Sequence, residues 1–448
     1  MRADLGVLGG GLMGLTLAYL QAARGHRVTV YEAGSAVGGL LRGTTLGGVP
    51  CDRFYHCVVP TDADLLWLLE DLGVSDLVSW RRTRTGFLHR GRLHSLDGIV
   101  DFLRFPPLRF DQRLRLGWTI FRTSRLAGWE AVDRIGVEEY LVRLGGRAVF
   151  ETVWRPLLRA KLGESYRETS AAFIWSTINR LYRARATPDR AEKLGFLRGS
   201  YEAVLTRLVE RLQAGGTQIR TGVAVERLEP EAGGIRLRWP GGECRHDAVL
   251  ATVPPAALAR LVAPLSPAYA DELGRFRFHG VIAWLLVLDR PLTDYYVINL
   301  TDLDTPITGI IEMGNLAPPG TFGPGRSLLY LPRYTAADSP TYQGSDDAFR
   351  DECIRFVRRA VPAFSPDWIV DQVVFRAPSV LPIPTLGFGR ALPTFRSPIA
   401  RLYFAHNLHV YPRPLHNDAI VEVARGLDRL LAAELAGERA DLMAPAAP

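Results

Sequence analysis

Few side chains in this chain of 448 residues stand at spacings that announce chemistry, and the clearest group binds rather than reacts. Gly9-x-Gly11-x-x-Gly14 follows the apolar run "ADLGVLG" and leads into "LTLAYLQAARG", after which "HRVTVYE" closes on Glu32. Each part has a mechanical role in gripping a dinucleotide. Gly9 permits a tight turn, Gly11 lets the backbone approach a pyrophosphate, and Gly14 lets helix and strand pack closely, while the helix N-terminus faces the anion. Glu32 stands at roughly the twenty-residue interval expected of an acid that accepts from ribose hydroxyls. The same stretch could be read as a secretory signal peptide, with its early basic residue, apolar run and "QAARG". A cleaved leader has no use for a second strand ending on an acid, so the segment reads as a nucleotide turn that stays.

Other chemistries lack their signatures. There is no G-x-S-x-G elbow, no paired metal-binding histidine motif and no phosphate-loop lysine, which argues against hydrolase and kinase chemistry. Cys51, Cys57, Cys244 and Cys353 form no C-x-x-C and no metal spacing; they read as reduced thiols, and no metal is expected. The formal net charge is +7, with arginines concentrated between Arg81 and Arg125. That stretch suits a phosphate-bearing partner or an anionic membrane face, and equally a solvated helical face. It sits inside a nucleotide-binding frame, so no nucleic-acid partner is expected. No apolar run nears the ~18 residues of a spanning helix; "VIAWLLVL" from Val281 is the longest candidate. The chain reads as cytoplasmic, or peripheral at the inner membrane face.

The residues after Glu32 narrow the nucleotide. "AGSAVGGLLR" resembles the two-dinucleotide motif of the flavin amine oxidase and phytoene desaturase superfamily, in which a glycine pair passes the pyrophosphate and leads to the flavin. The resemblance implies Gly38, Gly39 and Arg42 as cofactor-binding residues; a nicotinamide cofactor alone is the alternative. "EKLGFLRGSYEAVLTRLVERLQAGGTQIRTGVAVERLE" looks like the superfamily's returning segment, whose valine, here Val225, brackets the adenine with its backbone. "DAVLATVPP" looks like the strand that re-enters the flavin domain. "IARLYFAHNLHVYPRPLHNDAIVEVARGLDRLL" resembles the closing strand, loop and helix that reach the isoalloxazine, with Asn417 and Ala419 in the helix's first turn. Together these imply FAD. One departure is Ala405-His406-Asn407, where many relatives place a glycine and an acid. "DRFYH", "TRTGFLHRGRLHSL", "DFLRFPPLRF", "VWRPLLRAKLGE", "IIEMGNL" and "YLPRY" further resemble a bacterial group of FAD-dependent oxidoreductases. That group is related to protoporphyrinogen oxidase and, more distantly, to UDP-galactopyranose mutase.

The implied architecture is α/β: a doubly wound, Rossmann-like FAD-binding domain, an antiparallel β substrate domain and a helical cap. The FAD-binding domain is discontinuous, over 1–80, 193–262 and 395–440. The cap covers 83–192, the antiparallel sheet 263–394, and 443–448 is a frayed tail. "GVIAWLLVLDR", "SLLYLPRY" and "WIVDQVVFRAPSV" have the β-rich composition of the sheet.

Within that frame the candidate pocket residues are His56, Arg155, Lys161, Glu312, Arg333, Tyr334, His406, His409 and Tyr411. His56, Arg333, His406 and Tyr411 are expected to act in catalysis. Arg333 could hold a carboxylate or phosphate bidentately, or pair with Glu312; Tyr411 could stack on the flavin or fill the core. Asn417 is expected to cap the last helix and aim backbone N–H groups at the flavin's pyrimidine edge. The implied activity is removal of hydride from an apolar or lipid-linked small molecule, one that could also bear phosphate. The alternatives are a redox-neutral isomerase of the sugar-nucleotide mutase type and a flavin-bearing scaffold without catalysis.

Overall fold

The computed structural model describes residues 2–96, 99–184, 193–302 and 305–435; the expected tail at 443–448 lies outside the described residues. Five short strands drawn from three regions of the chain pair in parallel. Their order is Leu402–Phe404, Ala248–Ala251, Asp4–Leu8, Arg27–Glu32 and Gln218–Thr221. The inner strands Ala248–Ala251 and Asp4–Leu8 carry apolar runs because both faces of the sheet are covered. On one face Val7, Val28, Val30 and Leu250 pack with residues of the helices Leu12–Ala23, Ser200–Ala214 and Asn417–Leu435.

The other face corrects the doubly wound expectation. Leu8, Tyr31, Val249 and Ala251 lie in one cluster with Leu228, Ile235 and Leu237 of a three-stranded antiparallel sheet, Arg227–Glu231, Gly234–Trp239 and Gly242–His246. Tyr31 makes the junction, with its ring 5.3 Å from Trp239 and its hydroxyl 2.8 Å from His246 Nε2. The physical reason is in the sequence: alternating "IRLRW" between glycine turns cannot form a helix, and its apolar side covers the sheet instead.

A seven-stranded sheet forms the second layer, in the order Ile369–Pro382, Phe278–Leu288, Ser327–Thr335, Gly309–Glu312, Val297–Leu300, Thr85–His89 and Arg92–Ser95. It is antiparallel except where Val297–Leu300 meets Thr85–His89. The last two strands come from the 83–192 stretch read as helical. They form a hairpin whose turn residues, Arg90 and Gly91, both have positive φ, as a two-residue turn of this hand requires. The rest of that stretch holds the helices Phe110–Ser124, Val137–Gly145, Arg155–Leu162 and Ala171–Ala184. Conversely, 263–394 contains the helices Pro267–Gly274 and Asp346–Ala360 beside its strands. Among the described residues no helix is long and apolar enough to cross a membrane, and none of the four cysteines forms a disulfide.

Candidate functional site

A cavity of about 950 Å³ runs from the carboxyl ends of the parallel strands to the face of the large sheet. Its first end is built from backbone. Gly14 tolerates no side chain, since an added Cβ would lie 2.0 Å from the Gly9 carbonyl oxygen. Gly11 instead faces open cavity, with nothing within 4 Å of the same construction, which is the clearance a pyrophosphate needs. Gly38 donates its N–H to the Gly10 carbonyl at 2.7 Å and so draws the second glycine pair against the first turn. Gly38 and Gly39 line the cavity beside Gly9 and Gly11. Glu32 accepts from Gly10 N through Oε2 and from Gly34 N through Oε1, each at 2.7 Å. One N–H on each oxygen leaves lone pairs for ribose hydroxyls. Val225 lines the same end, in the segment whose Val223 N–H bonds the Glu32 carbonyl.

The second end is built from side chains. Tyr55, His56 and Cys57 follow the Val49–Asp52 strand, Val281 and Ala283 come from the long central strand, and Pro332 and Tyr334 from its neighbour. His406 and Asn407 follow the closing strand, and His416, Asn417 and Ile420 surround the start of the last helix. The N–H groups of that helix's first turn have no intrahelical acceptor, so a partial positive charge points at this end. His406 stacks at 8° on Phe404, and burial with His409 nearby lowers its pKa to about 3. It is therefore a neutral imidazole. His56 Nδ1 lies 3.6 Å from Asp52 Oδ2 without a hydrogen bond, and Asn407 Oδ1 is likewise buried and unpartnered.

Several expected site residues point elsewhere. Pro332 and Tyr334 line the cavity, so the two-residue period of a strand turns Arg333 to the opposite face; there it bonds the Pro306 carbonyl at 3.2 Å and lies 3.5 Å from Glu352. Its expected partner Glu312 is instead saturated by Leu292 N, Thr293 N and Ser327 Oγ. The Tyr411 hydroxyl bonds Asp133 and Ser170, and its ring packs on Trp129 and Phe388, a core position. Arg155 pairs with Glu151 at 2.5 Å, and His409 Nε2 lies 2.9 Å from the Pro393 carbonyl. Arg42 and Ala419 do not reach the cavity wall; Ala419 is fully buried in the first turn of the last helix. Lys161, by contrast, does line the cavity. So does Arg180, which carried no sequence signal: it is one arginine among many in a helical stretch, and only the packing of its helix aims it inward.

The glycine cradle, the Glu32 carboxylate and the orphaned polar atoms at the far end fit a flavin dinucleotide. The chain matches the family model of flavin containing amine oxidoreductases over residues 12–411. It is 27% identical over 283 residues to coproporphyrinogen III oxidase of Mycobacterium tuberculosis, covering 58% of this chain and 61% of that one. The chain thus spans about three fifths of the length of that curated relative. Protoporphyrinogen oxidase 1 of Spinacia oleracea chloroplasts is 23% identical over 404 residues, 80% of this chain and 70% of that one. In structure it is similar to an oxidoreductase from Methanosarcina mazei, with a TM-score of 0.73 at 17% identity over 96% of this chain and 100% of the other. The chain belongs to the flavin containing amine oxidoreductase family, and its cofactor is FAD.

Proposed function

We propose that this flavin containing amine oxidoreductase is an oxidase or desaturase that removes hydride from an apolar small molecule. The observation that carries the reading is the wall of the reacting end, where Val281, Ala283, Pro332 and Val380 meet the rings of Tyr55 and Tyr334 beside a neutral His406. When bound, FAD supplies the hydride acceptor. The chain's own residues bind, orient and exclude water. We assign FAD binding to 1–80, 193–262 and 395–440, with Gly9, Gly11, Glu32, Gly38, Gly39, Val225 and Asn417 as its contacts and Gly14 packing the turn behind them. The sheet of 263–394, extended by Thr85–His89 and Arg92–Ser95, forms the substrate wall, and the helices up to residue 184 close it. His56 and His406 are the side chains assigned to the reacting centre. Asp52 holds the segment before His56, because its Oδ1 accepts from Tyr201 N at 2.9 Å.

An exposed stripe supports an apolar substrate drawn from a membrane. Phe110, Leu114, Trp118 and Phe121 recur on one face of the Phe110–Ser124 helix and are 63%, 53%, 52% and 42% exposed. Arg122 and Arg125 lie over the Trp118 and Phe121 rings at 5.7 and 5.0 Å. Apolar groups rimmed by arginines suit a peripheral contact with an anionic bilayer. Co-sedimentation with anionic vesicles is expected at low salt and is lost at high salt; equal recovery with neutral and anionic vesicles refutes that contact.

The function itself is tested by anaerobic mixing of the yellow holoenzyme with polyprenyl, porphyrinogen and nucleotide-sugar candidates. Bleaching of the flavin with a product two electrons more oxidised is expected. Turnover that leaves the substrate's oxidation level unchanged overturns the reading.

A further inference from the structure

The cavity has an unequal distribution of charge. The carboxylates on its wall, Glu32 and Glu226, both lie at the nucleotide end together with Arg260, whereas the reacting end carries Lys161, Arg180 and His416 without a carboxylate on the wall. Lys161 is held there rigidly. Its helix is tied to the large sheet by the Thr308 hydroxyl, which donates to the Ala160 carbonyl at 2.7 Å, and by His279 Nε2, 2.9 Å from the Leu162 carbonyl. The ammonium stands 5.9 Å from the centre of the Tyr334 ring and has no carboxylate partner among the described residues. Among the described residues Arg180 approaches a single acid, Asp62, at 3.5 Å, and its Nε is buried and unpartnered. Asp62 Oδ2 is already engaged by the Val59 N–H at 2.8 Å. Of these two cations only Arg180 therefore meets a carboxylate, one already engaged, and the surrounding wall includes Val281, Ala283, Pro332 and the rings of Tyr55 and Tyr334.

An uncompensated cation in apolar surroundings is costly unless paired and hydrogen-bonded. We infer that Lys161, Arg180 and His416 form a receptor for an oxyanion of the substrate, a carboxylate or a phosphate, and that this pocket disfavours amines. The inference deepens the proposed function and rests on an apolar substrate entering this cavity. Lys161 supplies a compact charge, Arg180 a fork of donors matched to two oxygens, and His416 a neutral ring that can donate one N–H. Burial first, then Arg180, lowers the Lys161 pKa to about 8; burial, Arg180 and Lys161 hold His416 well below its usual value. Each cation feels the other, which is the state a bound anion relieves. An amine would add a third like charge beside them.

The test uses holoenzyme and four probes of one chain length: octanoate, octyl phosphate, octylamine and 1-octanol. Binding is read from the perturbed flavin absorption band and from calorimetry, so no turnover is needed. An anion is expected to bind roughly tenfold or more tightly than the alcohol, and the amine more weakly than the alcohol. Whichever of octanoate and octyl phosphate binds more tightly identifies the source of the oxyanion. Lys161→Met is expected to remove most of the anion's advantage while leaving 1-octanol unchanged, and Lys161→Arg to restore it. Equal binding of amine and anion overturns the inference, as does a Lys161→Met protein with unchanged anion affinity. A Lys161→Met protein that sheds its flavin also overturns it, because Lys161 then serves the cofactor. Anion binding without flavin reduction by any apolar candidate keeps the receptor and removes the oxidase reading. Reduction by amines alone does the reverse.

Discussion

The two ends of the cavity are made of different material. At the nucleotide end the glycine backbone, the helix start and Glu32 lie within the first 39 residues, joined by the segments around Val225 and Thr252. At the reacting end they are side chains contributed by Tyr55, Lys161, Arg180, Ala283, Tyr334 and His406, each on a different element. The first end is local in sequence, so its residue spacing carries its geometry. The second exists only after distant elements pack, and no spacing encodes it. Local sites are therefore readable as motifs, while assembled sites need the face of every element to be known.

The largest effect is expected at the local end. Glu32→Ala removes the ribose acceptor and also orphans the Gly10 and Gly34 N–H groups that Glu32 now satisfies. Unpaired buried polar groups cost about 1–3 kcal/mol each, so flavin retention through dialysis should fall by tenfold or more. Equal flavin content in both proteins would show that the carboxylate is only a loop clasp.

The assembled end should respond next, and through pH. Lys161 keeps its proton below about pH 8, whereas burial keeps His416 neutral and the Tyr334 and Tyr55 hydroxyls protonated. Octanoate remains ionised throughout. Its affinity should be flat below pH 8 and fall above it as the ammonium is lost, by up to about tenfold per unit until the lysine pKa of the complex is reached. Titrating octanoate binding from pH 6.5 to pH 9.5 checks this, on the range set by the lysine's lowered value. A profile flat through pH 9.5 would separate the lysine from the anion.

Between the two ends stands the last helix. Asn417→Leu leaves the helix N–H groups in place and deletes one amide from the cavity wall. Loss of one hydrogen bond of about 0.5–1 kcal/mol to the reduced flavin lowers the two-electron midpoint potential by on the order of 10–20 mV. Redox titration against a reference dye measures it, and an unchanged potential with full flavin content removes Asn417 from the flavin's surroundings.

What was legible follows the same division. The glycine turn and Glu32 were readable because each depends on neighbours within a few dozen residues, and the parallel strands because each is itself a short local run. The hairpin Thr85–His89 and Arg92–Ser95 was hidden by the arginines in "TGFLHRGRLHS", although "RG" between two runs was the turn signal. The three-stranded sheet was absorbed into the 193–262 part of the FAD-binding domain, where "IRLRW" shows its period plainly. His406 was visible as an odd residue beside the closing strand. Arg180 was not, since nothing local distinguishes an arginine facing a cavity from one facing water.

The smallest effect tests that lesson directly. Arg333 was attractive because it stands in "YLPRY" between two residues that do reach the cavity. Strand alternation decides against it: Pro332 and Tyr334 share one face and Arg333 takes the other, where its side chain is 29% exposed and Glu352's is 45%. An ion pair that open to solvent is worth about 0–1 kcal/mol, and the Pro306 carbonyl it bonds can be taken over by water. Arg333→Ala should therefore lower Tm by no more than a few degrees and leave the flavin spectrum and anion affinity as they were. Tyr334→Leu, one residue along, removes a ring from the cavity wall and from beneath the Lys161 ammonium, so it should shift the flavin spectrum and weaken octanoate. If Arg333→Ala disturbs the ligand and Tyr334→Leu does not, the strand's faces are assigned the wrong way round. The assembled end of the cavity would then have to be rebuilt from the opposite side of that sheet.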